Sequence, residues 1–135
     1  MVISAKYLVE TDWAVYYLRG REPYVSKLQA FRQDGVSISV VSLAELYEGV
    51  FRISNQQKKE KALDNFLNGL DIIHVTKDIA RTFGNLRAEL RSQGITVADL
   101  DLLIGSTAIY YGLVVLTNNR RHFDKIPKIK LIEEN

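Results

Sequence analysis

The sequence has no cysteine, no long apolar run and no large excess of either charge. Without cysteine, thiol catalysis, a cysteine-ligated zinc site and a disulfide framework are excluded, and the chain fits a reducing compartment. No stretch reaches the length of a membrane span and no signal-peptide core follows the first residues, so we expect a cytoplasmic protein with no membrane partner. With 18 Lys and Arg against 16 Asp and Glu, the net charge is +2, and affinity for nucleic acid has to come from local patches.

The remaining composition is that of an ordinary folded domain. The chain has 135 residues, of which 47% are apolar and 25% are charged. These values exclude the disordered and low-complexity classes, and the length is sufficient to bury a core without disulfides or a structural metal. Since the sequence shows neither an internal repeat nor a linker, it predicts a single domain over residues 1–135.

Short apolar runs alternate with segments of helical spacing along the chain. The run 36–41 is rich in β-branched residues, as a buried strand should be, and Ser42 with Glu45 three positions later is typical of a capping box that opens a helix. Because parallel strands need helical crossovers, the alternation predicts an α/β fold, a three-layer α/β/α sandwich with a mainly parallel central sheet. The predicted strands are 7–9, 36–41, 71–75, 113–117 and 130–132.

Acidic and amide side chains follow the predicted strands or lie just beyond them. Glu10 follows the first strand and Glu45 lies in the first turn after the second, while Asp99 and Asp101 open an apolar helix and Asn119 follows the fourth strand. Ligands of a parallel α/β sheet bind beyond the carboxyl ends of its strands, so these segments can reach one crevice. Grouped carboxylates repel one another until a divalent cation binds, and magnesium or manganese takes oxygen ligands and promotes phosphodiester hydrolysis. The pattern therefore predicts a metal-dependent nuclease.

Each acid also has a purely structural interpretation. Glu45 could serve only as the return arm of the capping box with Ser42, and Asp12 and Asp99 could each cap a helix. Asp101 could favour the helix dipole, but so apolar a helix needs no second acid in its first turn, which favours a functional role.

The basic residues and the first acid are open in the same way. Glu10 could be a strand-end charge facing water, and His122 could be a surface or hydrogen-bonding histidine, since no second histidine is close. Arg120 and Arg121 could form a solvated turn. Cations beside an acidic pocket nevertheless suit a polyanion that is held while a metal engages one phosphate.

Four segments carry the most distinctive patterns: YLVETDW at 7–13 with LRG at 18–20, SLAELYEG at 42–49, DLLIGSTA at 101–108 and LTNNRRHF at 116–123. In this order and in a chain of this length they resemble the PIN-domain proteins of the VapC toxin group. The resemblance spans nearly the whole chain. It implies a magnesium-dependent endoribonuclease, the toxin of a bacterial or archaeal toxin–antitoxin pair, that cleaves cellular RNA such as transfer RNA. It also implies a cognate antitoxin protein as partner and a homodimer.

The resemblance further implies roles for individual residues. The first metal-binding acid of the family is usually Asp, and Glu10 is one methylene longer in a site whose geometry magnesium constrains tightly, so we expect attenuated activity. The fourth acid position of the family falls on Asn119 or His122, neither of which is an acid, and this predicts one well-bound ion, magnesium or alternatively manganese. The expected catalytic residues are Glu10, Glu45, Asp101 and Asn119, the first three as metal ligands, and the expected supporting residues are Thr11, Asp99, Thr117 and His122.

The expected chemistry is hydrolysis of an RNA phosphodiester. Asp101 and Glu10 would hold the ion, and Glu45 would orient the attacking water. Residues that hold the RNA backbone should affect binding with little change in base preference. The residues expected in that role are Arg19, Arg120 and Arg121.

Other interpretations of the chain remain open from the sequence. A flavodoxin-like receiver also gathers acids and magnesium at the ends of its strands. It requires a Lys after a late strand, however, and this chain has Thr117, Asn118 and Asn119 there. A catalytically inactive PIN module that binds RNA or a protein is the alternative that Glu10 keeps open. The helix with Tyr47 and Phe51 and the polar helix after Gln56 are predicted to form a hairpin with a groove for an amphipathic antitoxin helix, with core packing as the alternative for these aromatics.

Overall fold

The structure is a computed structural model that describes residues 3–133. Short strands alternate with helices over this range. The strands are β1 (Tyr7–Val9), β2 (Val36–Ser39), β3 (Asp71–Ile73), β4 (Val114–Leu116) and β5 (Lys130–Leu131). The α-helices are α1 (Thr11–Leu18), α2 (Tyr24–Phe31), α3 (Val40–Phe51), α4 (Gln56–Leu67), α5 (Lys77–Ser92), α6 (Asp99–Tyr111) and α7 (Arg120–Phe123), and a 3₁₀ turn spans Arg32–Asp34.

The strands form one sheet in the order β3-β2-β1-β4-β5, and each neighbouring pair is parallel. The central strand is β1, in which Tyr7 lies opposite Val36 on one side and Val114 on the other. The predicted parallel sheet is confirmed, although every strand except β1 is one or two residues shorter than predicted. Because all strands run in one direction, the residues that follow β1, β2 and β4 meet at one edge.

The side chains of β1 show how the three layers form. Tyr7 and Val9 are buried in one apolar cluster with residues of α1, α2, α3 and α4. Leu8, which points to the opposite face, is buried in a second cluster with residues of α5, α6 and α7. The sheet therefore lies between two helical layers, and the predicted α/β/α sandwich is confirmed.

The start of α3 differs from the prediction. The strand ends at Ser39, whose side chain caps α3 by accepting a hydrogen bond of 3.1 Å from the amide of Val41. Ser42 is buried inside the helix, and its hydroxyl has no hydrogen-bond partner among residues 3–133. The predicted capping box of Ser42 with Glu45 is thus wrong, because the β-branched run continues two residues, Val40 and Val41, into the helix.

Two further helix starts bear on the site. The N-cap of α6 is Ala98 and that of α1 is Glu10, so neither Asp99 nor Asp12 is the N-cap residue that the structural interpretation suggested. The short helix α7 occupies the positions for which a solvated turn was the alternative, beginning at Arg120. In the range 3–133, no helix is both long and apolar enough to cross a bilayer.

Candidate active site

An open cleft of about 540 Å³ lies at the carboxyl edge of the sheet. Residues from the loops and helices that follow β1, β2 and β4 line it, together with the first turn of α6. The structure thus brings together segments that are far apart in the sequence. The predicted site residues that line this cleft are Glu10, Thr11, Glu45, Asp99, Asp101, Asn119 and His122.

Glu10 is the most deeply buried acid of the cleft, with 4% of its surface exposed. Its Oε2 accepts hydrogen bonds from the hydroxyl of Thr117 at 3.0 Å and from the amide of Asp12 at 3.4 Å. The pKa of the Glu10 carboxyl is raised to about 9, chiefly by burial and further by a side-chain hydrogen bond with Asp12 and the negative charge of Asp12. The hydrogen bond from Thr117 acts in the opposite direction and lowers this pKa. The carboxyl is therefore protonated at neutral pH unless a cation lies beside it.

Glu45 is held from across the cleft. The hydroxyl of Thr11, in the first turn of α1, donates a hydrogen bond of 2.6 Å to Oε1 of Glu45, in the second turn of α3. The side chain of Glu45 is thus directed into the cleft rather than back to the start of its own helix. This contact also joins the segments that follow β1 and β2.

Asp101 and His122 form the opposite wall. Oδ2 of Asp101 lies 3.4 Å from Nδ1 of His122, with 22% and 50% of the two side chains exposed. Asp99 lines both the cleft and a neighbouring hollow, where its carboxylate, 61% exposed, pairs with Arg87 at 3.2 Å. Of the two acids that open α6, Asp101 is the one directed to the other cleft residues.

Asp12 is a functional candidate that the sequence analysis treated only as a cap. Its Oδ1 accepts from the amide of Trp13 at 2.7 Å, and its Oδ2 accepts from the amide of Asn118 at 2.9 Å. The indole of Trp13 donates to the side-chain oxygen of Asn118, and the amide of Asn119 donates to the hydroxyl of Thr117. These bonds fix the loop after β4, which carries Asn119 to the cleft. The sequence signal that could have identified Asp12 is its position two residues after Glu10, at the end of β1.

Comparison with known proteins decides the family. The model of the PIN domain matches residues 7–129. The chain belongs to the PIN-domain family. It is 32% identical over 127 residues to "Ribonuclease VapC2" of Rickettsia felis, which covers 93% of this chain and 95% of the relative. It is 26% identical to the "tRNA(fMet)-specific endonuclease VapC" of Salmonella typhimurium, covering 93% of this chain and 96% of that one.

Solved structures agree with this placement. The crystal structure of VapBC2 from Rickettsia felis bound to a DNA fragment from their promoter matches with a TM-score of 0.88 and 31% identity. The match covers 96% of this PIN domain and 98% of that chain. Together with the named relatives, it places this chain among the VapC ribonucleases of the family.

The three arginines expected to hold RNA take different positions in this PIN domain. Arg19 lines a neighbouring groove that shares Glu45 with the cleft. Arg121 lines a depression that shares Asp101 with it. The guanidinium of Arg120 donates to the backbone carbonyl of Ile132, so the structure directs this side chain toward the end of β5 rather than into the cleft.

The donor set of this PIN domain fits a divalent cation. Glu10, Glu45 and Asp101 offer only carboxylate oxygens, the ligands that magnesium and manganese prefer. Within residues 3–133, no group of three or more acids or histidines is arranged as a complete metal-binding site. Magnesium does not require one, because it commonly binds through one or two carboxylates and keeps several waters. A cation beside the buried Glu10 carboxyl would favour its ionised form and so oppose the effect of burial on its pKa.

Proposed function

We propose that this protein is a metal-dependent endoribonuclease and the toxin of a toxin–antitoxin pair, with magnesium or manganese as cofactor. The observation that carries the proposal is the convergence of Glu10, Glu45 and Asp101, from three separate segments, on one open cleft of a PIN domain. The named activities of the relatives support RNA as the substrate. Since the Salmonella relative is named for transfer RNA, transfer RNA is the first substrate to test.

The chain's own residues divide the work of hydrolysis. Glu10 and Asp101 would hold the cation, which would lower the pKa of water and offset charge on the phosphate. Thr117 fixes the carboxyl of Glu10. Glu45, fixed in turn by Thr11, orients the water whose oxygen forms the new bond to phosphorus as the bond to the leaving ribose oxygen breaks.

Asn119 lines the cleft from the loop after β4, where its amide can contact a phosphate oxygen. His122 lies against Asp101 and limits the directions that this carboxylate can adopt. The two residues therefore have positioning roles, one toward the substrate and one toward a metal ligand.

Glu10 limits the activity in this proposal. Its carboxyl is buried against Thr117 and the amide of Asp12. Because of the extra methylene, this carboxylate extends further than that of the usual Asp, in a site whose geometry magnesium constrains tightly. Glu10→Asp should therefore raise the rate of RNA cleavage in magnesium. Equal or lower activity of Glu10→Asp would show that the longer side chain is not the limiting feature.

A groove between α1, α3 and α4 is the proposed antitoxin site. It is lined by apolar side chains such as Val15, Leu46 and Val50, and it shares Glu45 with the cleft. An amphipathic helix docked there would end beside the catalytic residues. Of the two aromatics considered in the sequence, Tyr47 is half-buried and packs against the core and Phe51 is 55% exposed, and neither lines this groove.

The assay that tests the function is cleavage of transfer RNA and total RNA by the purified protein, with magnesium, manganese or EDTA. Asp101→Asn removes a ligand charge, and Asp64→Asn removes an equal charge from the exposed face of α4 as the matched control. The proposal expects cleavage that EDTA and Asp101→Asn abolish and Asp64→Asn preserves. A protein that binds RNA but never cleaves it would support the alternative, a catalytically inactive PIN module.

The homodimer is also part of the proposal. The family resemblance implies it, and light scattering coupled to size-exclusion chromatography measures it directly. A mass near 31 kDa, twice the 15.4 kDa of the chain, is the expected result. A mass of one chain at micromolar concentration would contradict it.

A further inference from the structure

A basic depression opens directly from the cleft on the side of α7. Arg121 and Lys125 line it, and it shares Asp101 and His122 with the catalytic cleft. Its remaining wall is the segment 96–98. An RNA strand that leaves the cleft past Asp101 therefore enters this depression directly, because the two share Asp101 and His122.

The two cations of the depression are free to bind an anion. Arg121 and Lys125 are exposed, and neither side chain makes a hydrogen bond or ion pair with any residue in the range 3–133. They lie four positions apart where the chain continues as a helical turn, since the amide of Asp124 donates to the carbonyl of Arg120 at 2.7 Å. Such residues share one face and are about 6 Å apart along the helix axis.

A second basic depression extends from the same wall. The segment 96–98 also borders a hollow along the last turns of α5, where Arg87 and Arg91 lie. Arg87 is already paired with Asp99, whereas the exposed side chain of Arg91 has no such partner among the described residues. The positive charge of this side of the molecule therefore continues beyond the first depression.

The opposite exit of the cleft has a different chemistry. There the groove between α1, α3 and α4 is mainly apolar, although Arg19 and Lys59 are also among its lining residues. A phosphate backbone gains little from an apolar floor, whereas unpaired Arg and Lys side chains bind phosphates without regard to base sequence. The small net charge of +2 makes such a local patch decisive for RNA affinity.

The structure assigns Arg121 and Lys125 to a subsite for the RNA phosphate next to the scissile one, with Arg91 holding a phosphate further along the same strand. The assignment rests on the proposed function, because the cleft defines where the scissile phosphate lies. It means that the strand leaves the cleft over α7 and the segment 96–98, and that cutting requires nucleotides on that flank.

Binding of a fluorescein-labelled single-stranded RNA of about 12 nucleotides tests the subsite, with EDTA present to prevent cleavage. Anisotropy titrations over a range of salt concentrations compare Arg121→Gln and Lys125→Gln with Lys61→Gln, an exposed charge on α4 outside the depression. We expect each depression variant to lower affinity and to reduce the slope of log K against log salt by about 0.7. Lys61→Gln should leave both quantities nearly unchanged.

Substrate chemistry locates the contact on the strand. Uncharged methylphosphonate linkages are placed on one flank of the cut site at a time. On the flank that occupies the depression, these linkages should weaken RNA binding by the parent protein but have little further effect on RNA binding by Lys125→Gln. Equal additional losses in the parent and in Lys125→Gln on both flanks would overturn the assignment.

Length dependence tests the position of Arg91. Arg91→Gln should weaken binding of the long RNA but not of a trinucleotide, whereas Lys125→Gln should weaken both. If the protein cleaves RNA and the depression variants bind like Lys61→Gln, the subsite is wrong and the nuclease function stands. If the parent protein neither binds nor cleaves RNA, both the subsite and the proposed nuclease function are wrong.

Discussion

The hydroxyl of Thr11 donates a hydrogen bond of 2.6 Å to the carboxylate of Glu45, which lies 34 positions away on another helix. This bond fixes the proposed water-orienting group. Thr11→Val keeps the shape of the side chain and removes the donor, so a bond of about 1.5 kcal/mol or more to a charged group is lost. We expect kcat for RNA cleavage to fall about tenfold with little change in KM.

The conservative variant is the control for this prediction. Thr11→Ser retains the donor and should keep most of the activity. If Thr11→Val and Thr11→Ser are equally active, the bond has no part in catalysis. Circular dichroism of both variants shows whether a loss of activity follows from misfolding.

The buried carboxyl of Glu10 should make stability depend on pH. Its pKa rises from 4.5 to about 9 in the folded protein, chiefly through burial. The folded state thus holds this proton more tightly than the unfolded state, so the stabilisation is complete below about pH 4.5 and is lost as the pH rises toward 9. Urea unfolding in EDTA, followed by the fluorescence of the single tryptophan, Trp13, measures this dependence.

Glu10→Gln supplies the comparison for the pH series. The amide mimics the protonated carboxyl, so this variant should lose less stability than the parent between pH 5 and 9. Magnesium should stabilise the parent at pH 8 but not Glu10→Gln, because only the ionised carboxylate attracts the cation. Identical pH profiles for the two proteins would show that Glu10 is not the titrating group.

Asp12 should hold the loop after β4. Its Oδ2 accepts the amide of Asn118 at 2.9 Å, and Asp12→Ala removes this acceptor. We expect the Asn118 amide to exchange with solvent about tenfold faster, from the loss of a bond to a charged group, and the cleavage rate to fall as Asn119 moves. Hydrogen exchange by NMR measures the first effect, with the Leu116 amide in β4 as internal control. Unchanged exchange at Asn118 would contradict the role.

Gly35 should be the most sensitive glycine for stability. Its φ is +88°, and an added Cβ would lie 2.8 Å from the Cα of Ala5. Gly35→Ala should therefore cost at least about 2 kcal/mol in the free energy of unfolding. Gly84 in α5 has open space at the same atom, and Gly84→Ala should stabilise by about 0.5–1 kcal/mol. Urea unfolding of both variants checks the difference, and equal effects would refute it.

The sequence predicted the parts of the fold that depend on local patterns. The strand 7–9 follows from its short apolar run, and the meeting of the acids beyond the strand ends follows from the geometry of parallel sheets. The structure has these acids in one cleft. The start of α3 was placed wrongly because Val40 and Val41 continue the β-branched run of β2. There Ser39, not Ser42, caps the helix.

Contacts across the fold were beyond the sequence. Asp12 accepts the amide of Asn118, 106 positions away, and no local pattern shows that pairing. Arg120 bonds to the carbonyl of Ile132, which only the position of β5 determines. The sequence already favoured Asp101 over Asp99 as a metal ligand, but it did not show the ion pair of Asp99 with Arg87 on α5.

The most direct test of the account is the fate of the attacking oxygen. Transfer RNA is cleaved by the protein in magnesium and oxygen-18-labelled water, and the product ends are analysed by mass spectrometry. Attack by a water that Glu45 orients predicts a linear terminal phosphate carrying one labelled oxygen, formed only when the divalent cation is present. An unlabelled cyclic phosphate, or cleavage that continues in EDTA, would contradict the account.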